Sequence, residues 1–179
     1  MRAFWACVSL LWGSTATLRP TQENPEYKAW SPFPTGAWVR HRQVEDSAGL
    51  LMEWEITTRL LDCTPEKAVL GIETVRIVYG SRSEFHRDRR EIPACVARDR
   101  DPDRADDRDL REGEEVVKVG HEDLPCRWVE VCEMTRSGKS ISKTWSCPRI
   151  PGEIVNMESR LESSAPVRRT TTLQAWSQE

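Results

Sequence analysis

The chain has 179 residues, 31% of them charged and 38% hydrophobic, with a formal net charge of −3 and a mean hydropathy of −0.61. That is enough chain to bury a core in one soluble domain, and a charge too close to balance for a general nucleic-acid binder, so no nucleic-acid partner is expected. The unusual component is tryptophan, eight residues against three Phe and two Tyr.

Met1-Arg2 is a short basic start, Ala3 to Trp12 is apolar, and Gly13-Ser14-Thr15-Ala16 closes with small residues. This order predicts a signal peptide over residues 1–16 and an extracytoplasmic, periplasmic or secreted, location. The apolar run is too short for a membrane span, which needs roughly 20 residues, and no later stretch approaches that length. Cys7 lacks the small-residue approach of a lipid-attachment site. Export permits disulfides, yet the five remaining cysteines, Cys63, Cys95, Cys126, Cys132 and Cys147, are odd in number and match no zinc spacing.

Residues 17–36 form a proline-punctuated lead, in which Trp30 and Phe33 precede Trp38 as a candidate cap for one end of a sheet. From Ala37 onward the pattern is strand after strand. Ala37 to Val44 reads as the first, and Gly49 opens a second in which Met52, Trp54, Ile56 and Leu60 alternate with Glu53, Glu55, Thr57 and Arg59. That period of two is the mark of a half-buried strand. Asp62 to Glu66 is turn chemistry, Lys67 to Val78 is rich in Val and Ile, and Gly80-Ser81 sits where a two-residue hairpin turn would bring Ser83 to Arg87 back.

Arg98 to Glu115 carries five Arg and nine acidic residues, a local charge of −4 that leaves +1 for the rest. Such a segment reads as a solvated loop over 98–115. Its Asp99, Asp101, Asp103 and Asp107 imitate the opening of a calcium loop, but Arg104 and Leu110 stand where the turn Gly and the bidentate Glu belong, so no metal is expected.

Five further strands follow: Glu115 to Val119, Pro125 to Met134, Lys139 to Cys147, Glu153 to Leu161 and Arg168 to Trp176. A turn centred on Ser137-Gly138 pairs Trp128 with Cys147, Glu130 with Trp145 and Met134 with Ile141. It gathers Trp128, Met134, Ile141 and Trp145 on one face, and sets Cys126 diagonal to Cys147.

The fold class is therefore all-β, mainly antiparallel, with a single curled sheet forming an incomplete barrel over residues 37–177 and few or no helices. Trp145, then Ile150-Pro151-Gly152-Glu153-Ile154-Val155-Asn156-Met157-Glu158, after the Trp128 hairpin and before a Thr-rich last strand, resembles small exported bacterial β-proteins of unassigned function. Their layout is similar to that of the periplasmic lipoprotein carriers and their outer-membrane receptor. The resemblance implies a concave apolar face that receives an acyl chain or another apolar partner. It transfers no catalytic residue, and the receptor's lipid-anchored N-terminal cysteine has no counterpart here.

The expected ligand-lining residues are Trp54, Trp128, Met134, Ile141 and Trp145. No catalytic residue, cofactor or metal is expected: G-x-S-x-G, the P-loop and H-E-x-x-H are absent, and His41, His86 and His121 have no evident partners. The two functional expectations are a non-catalytic binder of an apolar, lipid-like ligand or lipidated partner, and a structural or protein-interaction module of the cell envelope, with an enzyme of unknown type trailing both.

Overall fold

The structure, a computed structural model, describes residues 21–97 and 109–178. One short helix, α1 (Pro25–Trp30), accompanies eleven strands: β1 (Thr21–Glu23), β2 (Trp38–Ser47), β3 (Leu50–Cys63), β4 (Lys67–Val78), β5 (Ser81–Pro93), β6 (Cys95–Ala97), β7 (Asp109–Val119), β8 (Glu122–Thr135), β9 (Gly138–Ser146), β10 (Ile154–Glu162) and β11 (Val167–Ser177). Nine of them make one antiparallel sheet in the order β5-β4-β3-β2-β11-β10-β9-β8-β7, and β1 pairs with β6 in a separate ribbon. The sheet thus joins two meanders, β2 to β5 and β7 to β11, along the β2–β11 seam. Its edges β5 and β7 do not pair, so the barrel is incomplete.

The curl is recorded in the core. A single buried cluster takes Val39 from β2, Leu60 from β3, Leu70 from β4, Ile92 from β5, Val119 from β7, Leu124 and Cys126 from β8, Trp145 from β9, Val155 from β10 and Leu173 from β11. A flat nine-stranded sheet would hold its edge strands more than 35 Å apart, at roughly 4.8 Å per strand step, so Ile92 and Val119 share a core only because the sheet bends round.

All of these residues lie towards one end of their strands, the end opposite the hairpin turns at Ala48-Gly49, Tyr79-Gly80 and Arg136-Ser137. The lead segment closes that end. Asn24 caps α1 by accepting from the Glu26 amide, and Pro25 takes the first helical position, where no amide is required. The Asn24 amide group donates to Pro93 O and the Tyr27 hydroxyl to Thr64 O, tying the helix to the β3–β5 side. Gly152 N donates to Ala29 O, tying it to the β9–β10 connection. Trp30 lies over Gly152, whose φ of +74° and missing Cβ both matter: a Cβ there would stand 2.9 Å from the indole.

Several sequence-based expectations need correcting. The charged segment 98–115 is not loop to its end, because Asp109 to Glu115 belongs to β7. Its charges are matched across the ladder, Glu112 by Arg127 and Arg111 by Glu130, which composition alone does not register. Residues 98–108, with the calcium-like aspartates, lie outside the described residues, as does the 1–16 segment. The described part of the lead holds β1 and α1. The β4–β5 turn falls at Tyr79-Gly80, and β5 runs from Ser81 to Pro93. The β8–β9 hairpin turns at Arg136-Ser137, so Trp128 opposes Trp145, Cys132 opposes Ile141 and Met134 opposes Lys139. The Thr135 hydroxyl accepts from Ser137 N and donates to Gly138 O, which closes the turn one residue earlier than the Ser-Gly step suggests. A displacement of two residues in register preserves the alternation, so the face holding Trp128, Met134, Ile141 and Trp145 survives.

His41 on β2 reaches across the neighbouring strand: its Nε2 lies 2.9 Å from Ile154 O, an acceptor, and so carries the proton. Burial holds its pKa below the ordinary histidine value, against a smaller opposing contribution from that hydrogen bond. The unfolded chain therefore binds this proton first as the pH falls. Stability is expected to drop on acidification through about pH 6.5, until the lowered native pKa is passed. Urea midpoints at pH 7.5 and 5.5 are expected to differ by less in His41→Gln than in the parent.

Candidate functional site

Trp128 on β8 and Trp145 on β9 stand directly opposite one another. Between them comes Lys143, two residues before Trp145 and therefore on the same face. Its Nζ lies 4.3 Å from the Trp128 ring centroid and 4.5 Å from that of Trp145, within range of a cation–π contact to both. Glu115 on β7 holds the pair in place. Its Oε2 accepts from Trp145 Nε1 at 3.0 Å and lies 3.9 Å from Lys143 Nζ.

The third strand supplies the space. Gly113 on β7 pairs with Trp128, and a Cβ at that position would come 2.7 Å from the indole ring. Gly113→Val is expected to lift Trp128 off β7 and to loosen its contact with Lys143. The expected cost is roughly 1–3 kcal/mol, as for overpacking, with a shift in tryptophan emission.

Beyond Lys143 the same face continues into a small cavity of about 150 Å³ lined by Glu130, Ile141, Lys143, Glu158, Arg160 and Arg168. Two carboxylates and three cations surround it, so its chemistry is polar and nearly charge-balanced. The pattern is an aromatic clamp around an ammonium beside a charged recess.

Of the five residues expected to form a lining, this face brings together Trp128, Trp145 and Ile141. Met134 shares the face but stands at the hairpin end, 72% exposed. Trp54 does not join them. Following the ladder across the sheet, Trp145 aligns with Asn156, Thr172, Arg42 and Glu55, whereas Trp54 aligns with Gln43, Thr171, Met157 and Thr144. Adjacent residues of a strand point to opposite faces, so Trp54 and the Trp128–Trp145 pair occupy opposite sides of this ladder. The extra residue Val155, between the Ile154–Ser146 and Asn156–Trp145 pairs, lets Trp145 share a buried cluster with Leu60 and Leu173.

Residue-type reasoning passed over Lys143, Glu115 and Gly113. Lys143 was legible as the residue between Ile141 and Trp145 in an alternating strand. Gly113 lies in the segment that composition marks as loop, and Glu115, although it opens the expected strand Glu115 to Val119, has no local pattern that pairs it with Trp145.

The second feature is a gradient along the strands. At the capped end Leu60, Ile92, Leu124, Ile150 and Leu173 are buried completely or nearly so. Towards the hairpin end large apolar side chains face solvent: Leu50 and Leu51 at the β2–β3 turn, Tyr79 at the β4–β5 turn, Phe85 on β5, Leu110 at the start of β7 and Met134 before the β8–β9 turn. Tyr79 is fully exposed and Leu51 is 70% exposed. Exposed apolar residues are not confined to that end, since Val116 on β7, Leu61 on β3 and Ile154 on β10 are exposed nearer the cap, but the larger share of them stands at the hairpin end.

Among the described residues no three of His, Cys, Asp and Glu gather as a metal site would require, and no helix is long and apolar enough to cross a membrane.

No family model and no curated protein matches the chain. Two solved structures resemble it in fold. A protein with YmcC-like fold from Bacteroides fragilis, inferred to be exported, is 10% identical, with a TM-score of 0.45 over 83% of this chain and 98% of that one. A protein from Parabacteroides distasonis, inferred to be a lipoprotein, is 9% identical, with a TM-score of 0.46 over the same shares.

Proposed function

We propose that the chain is a non-catalytic extracytoplasmic binding protein that takes the acyl chain of a lipid or a lipidated partner at the hairpin end of its half-barrel. The observation that carries the reading is the uneven distribution of exposed apolar side chains, with Leu50, Leu51, Tyr79, Leu110 and Met134 at the hairpin end against Leu61, Val116 and Ile154 nearer the capped, mostly filled end. Aliphatic side chains predominate there, which suits a flexible hydrocarbon. The extracytoplasmic placement rests on the basic, apolar, small order of residues 1–16.

Docking through a sheet edge is the alternative, and among the described residues β5 and β7 are the outer strands of the sheet. Both are dense in charge, Arg82, Arg87, Arg89 and Arg90 on one and Glu112, Glu114 and Glu115 on the other. Such edges discourage strand addition.

The test is a titration with a fluorescent fatty acid and, separately, with a peptide carrying one palmitoyl group. Saturable binding of either supports the reading, and the arm that binds identifies the source of the chain. Binding to neither, with no lipid co-purifying in native mass spectrometry, overturns it.

A further inference from the structure

The observed hairpin register changes the position of two cysteines. Arg127 pairs with Ser146, so the next rung places Cys126 directly opposite Cys147, not diagonal to it. Facing residues of antiparallel strands have Cα atoms about 4.5–5.5 Å apart, inside the range of roughly 4.4–6.8 Å that a disulfide spans. Both thiols are present as free groups, and both are buried, 3% and 1% exposed. The other three cysteines among the described residues occupy different places: Cys63 at the end of β3, Cys95 on β6 and Cys132 opposite Ile141.

The geometry points to a Cys126–Cys147 disulfide that staples β8 to β9 beneath the cap, leaving Cys63, Cys95 and Cys132 as thiols. The oxidant is a disulfide-bearing one, either a dithiol oxidase or a small disulfide. One cysteine thiolate attacks it, forming a mixed disulfide and releasing a thiol. The second cysteine displaces the remaining thiol. Two electrons and two protons have then passed from the pair to the oxidant. In the folded chain burial, and after it the neighbouring Cys147, pushes the Cys126 thiol up to about 11. Exchange therefore belongs to folding, before the site closes, and the finished bond is shielded from reductant.

The bond's formation inside cells rests on the extracytoplasmic reading, so the test has two arms. In the first, the reduced chain is refolded in a buffer of reduced and oxidised glutathione, thiols are blocked under denaturing conditions, and unreduced peptides are mapped by mass spectrometry. A linked peptide pair containing Cys126 and Cys147 is expected, together with blocked Cys63, Cys95 and Cys132. It should persist in a Cys63→Ser/Cys95→Ser/Cys132→Ser variant, and reduction should lower the Tm by roughly 5–10 °C. Blocked thiols at both positions, or a link from either to another cysteine, overturns the proposal. In the second arm the same mapping is done on full-length chain made in cells. A link in the first arm with none in the second counts against the extracytoplasmic reading and leaves the pairing standing.

Discussion

Leu60→Ala is expected to lower the unfolding free energy by about 3–5 kcal/mol, at the upper end of large-to-small core substitutions. Leu60 has no exposed surface and sits in the cluster to which all nine strands of the main sheet contribute. Both its backbone groups are held by the segment before β2: Gly36 N donates to Leu60 O and Leu60 N donates to Ala37 O, each at 2.8 Å, and on the other side Leu60 pairs with Leu70 of β4. The chain therefore cannot move in to fill the lost volume, and a site that cannot collapse keeps the full cavity penalty. Leu61 is the internal control. It occupies the bulge between the Leu60–Leu70 and Asp62–Val69 pairs, is 42% exposed, and rests on Gly71. Leu61→Ala is expected to cost less than about 1.5 kcal/mol, because much of the side chain is already in water. Urea denaturation followed by tryptophan emission measures both. Equal costs would mean that the capped end is not the core of the fold.

Gly138→Ala is expected to have a comparable effect by another route. Gly138 has a φ of +133°, and a Cβ there would collide with the backbone carbonyl of Glu162 on the adjacent β10. Neither atom belongs to a flexible side chain, so relief requires the β8–β9 turn or the β9–β10 ladder to shift. Strain of this backbone region and overpacking together come to roughly 3–4 kcal/mol. Gly80 offers the contrast: its φ is +77° and a Cβ would meet nothing within 4 Å, so Gly80→Ala carries the conformational penalty alone, about 1 kcal/mol. If Gly138→Ala proved no more costly than Gly80→Ala, the packing of Glu162 against the hairpin would be wrong.

These two sites show what a sequence can and cannot disclose. Alternation in Met52 to Leu60 and the Val/Ile run Lys67 to Val78 announce β3 and β4, because a period of two has one physical meaning. The Trp128 face was legible because parity survives an error of two in register. The strand order was not. The chain passes from the β5 edge to the β7 edge and returns to pair β11 with β2, a long-range choice that no local pattern encodes. Local alternation alone groups Trp54 with Trp128 and Trp145, whereas the strand order and register set them on opposite sides of the ladder. The charge of Asp109 to Glu115 suggested solvent, but those side chains find partners on the neighbouring strand. Export and acyl binding are a different matter, since they depend on residues 1–16 and on a surface whose occupant is outside the fold.

The acyl-binding account stands or falls on where a lipid chain touches the protein. Backbone hydrogen exchange, measured with and without a saturating palmitoylated peptide, reads that location directly. The account predicts slowed exchange at residues 48–51, 78–82 and 134–139 around the hairpin turns, with exchange at the capped end near Leu60 and Ile150 unchanged. It also predicts that a Leu50→Ser/Leu51→Ser/Met134→Ser variant, stable because these side chains are already exposed, weakens binding at least tenfold. Protection confined to the β5 or β7 edge, or to the capped end, with the triple variant binding normally, would contradict it.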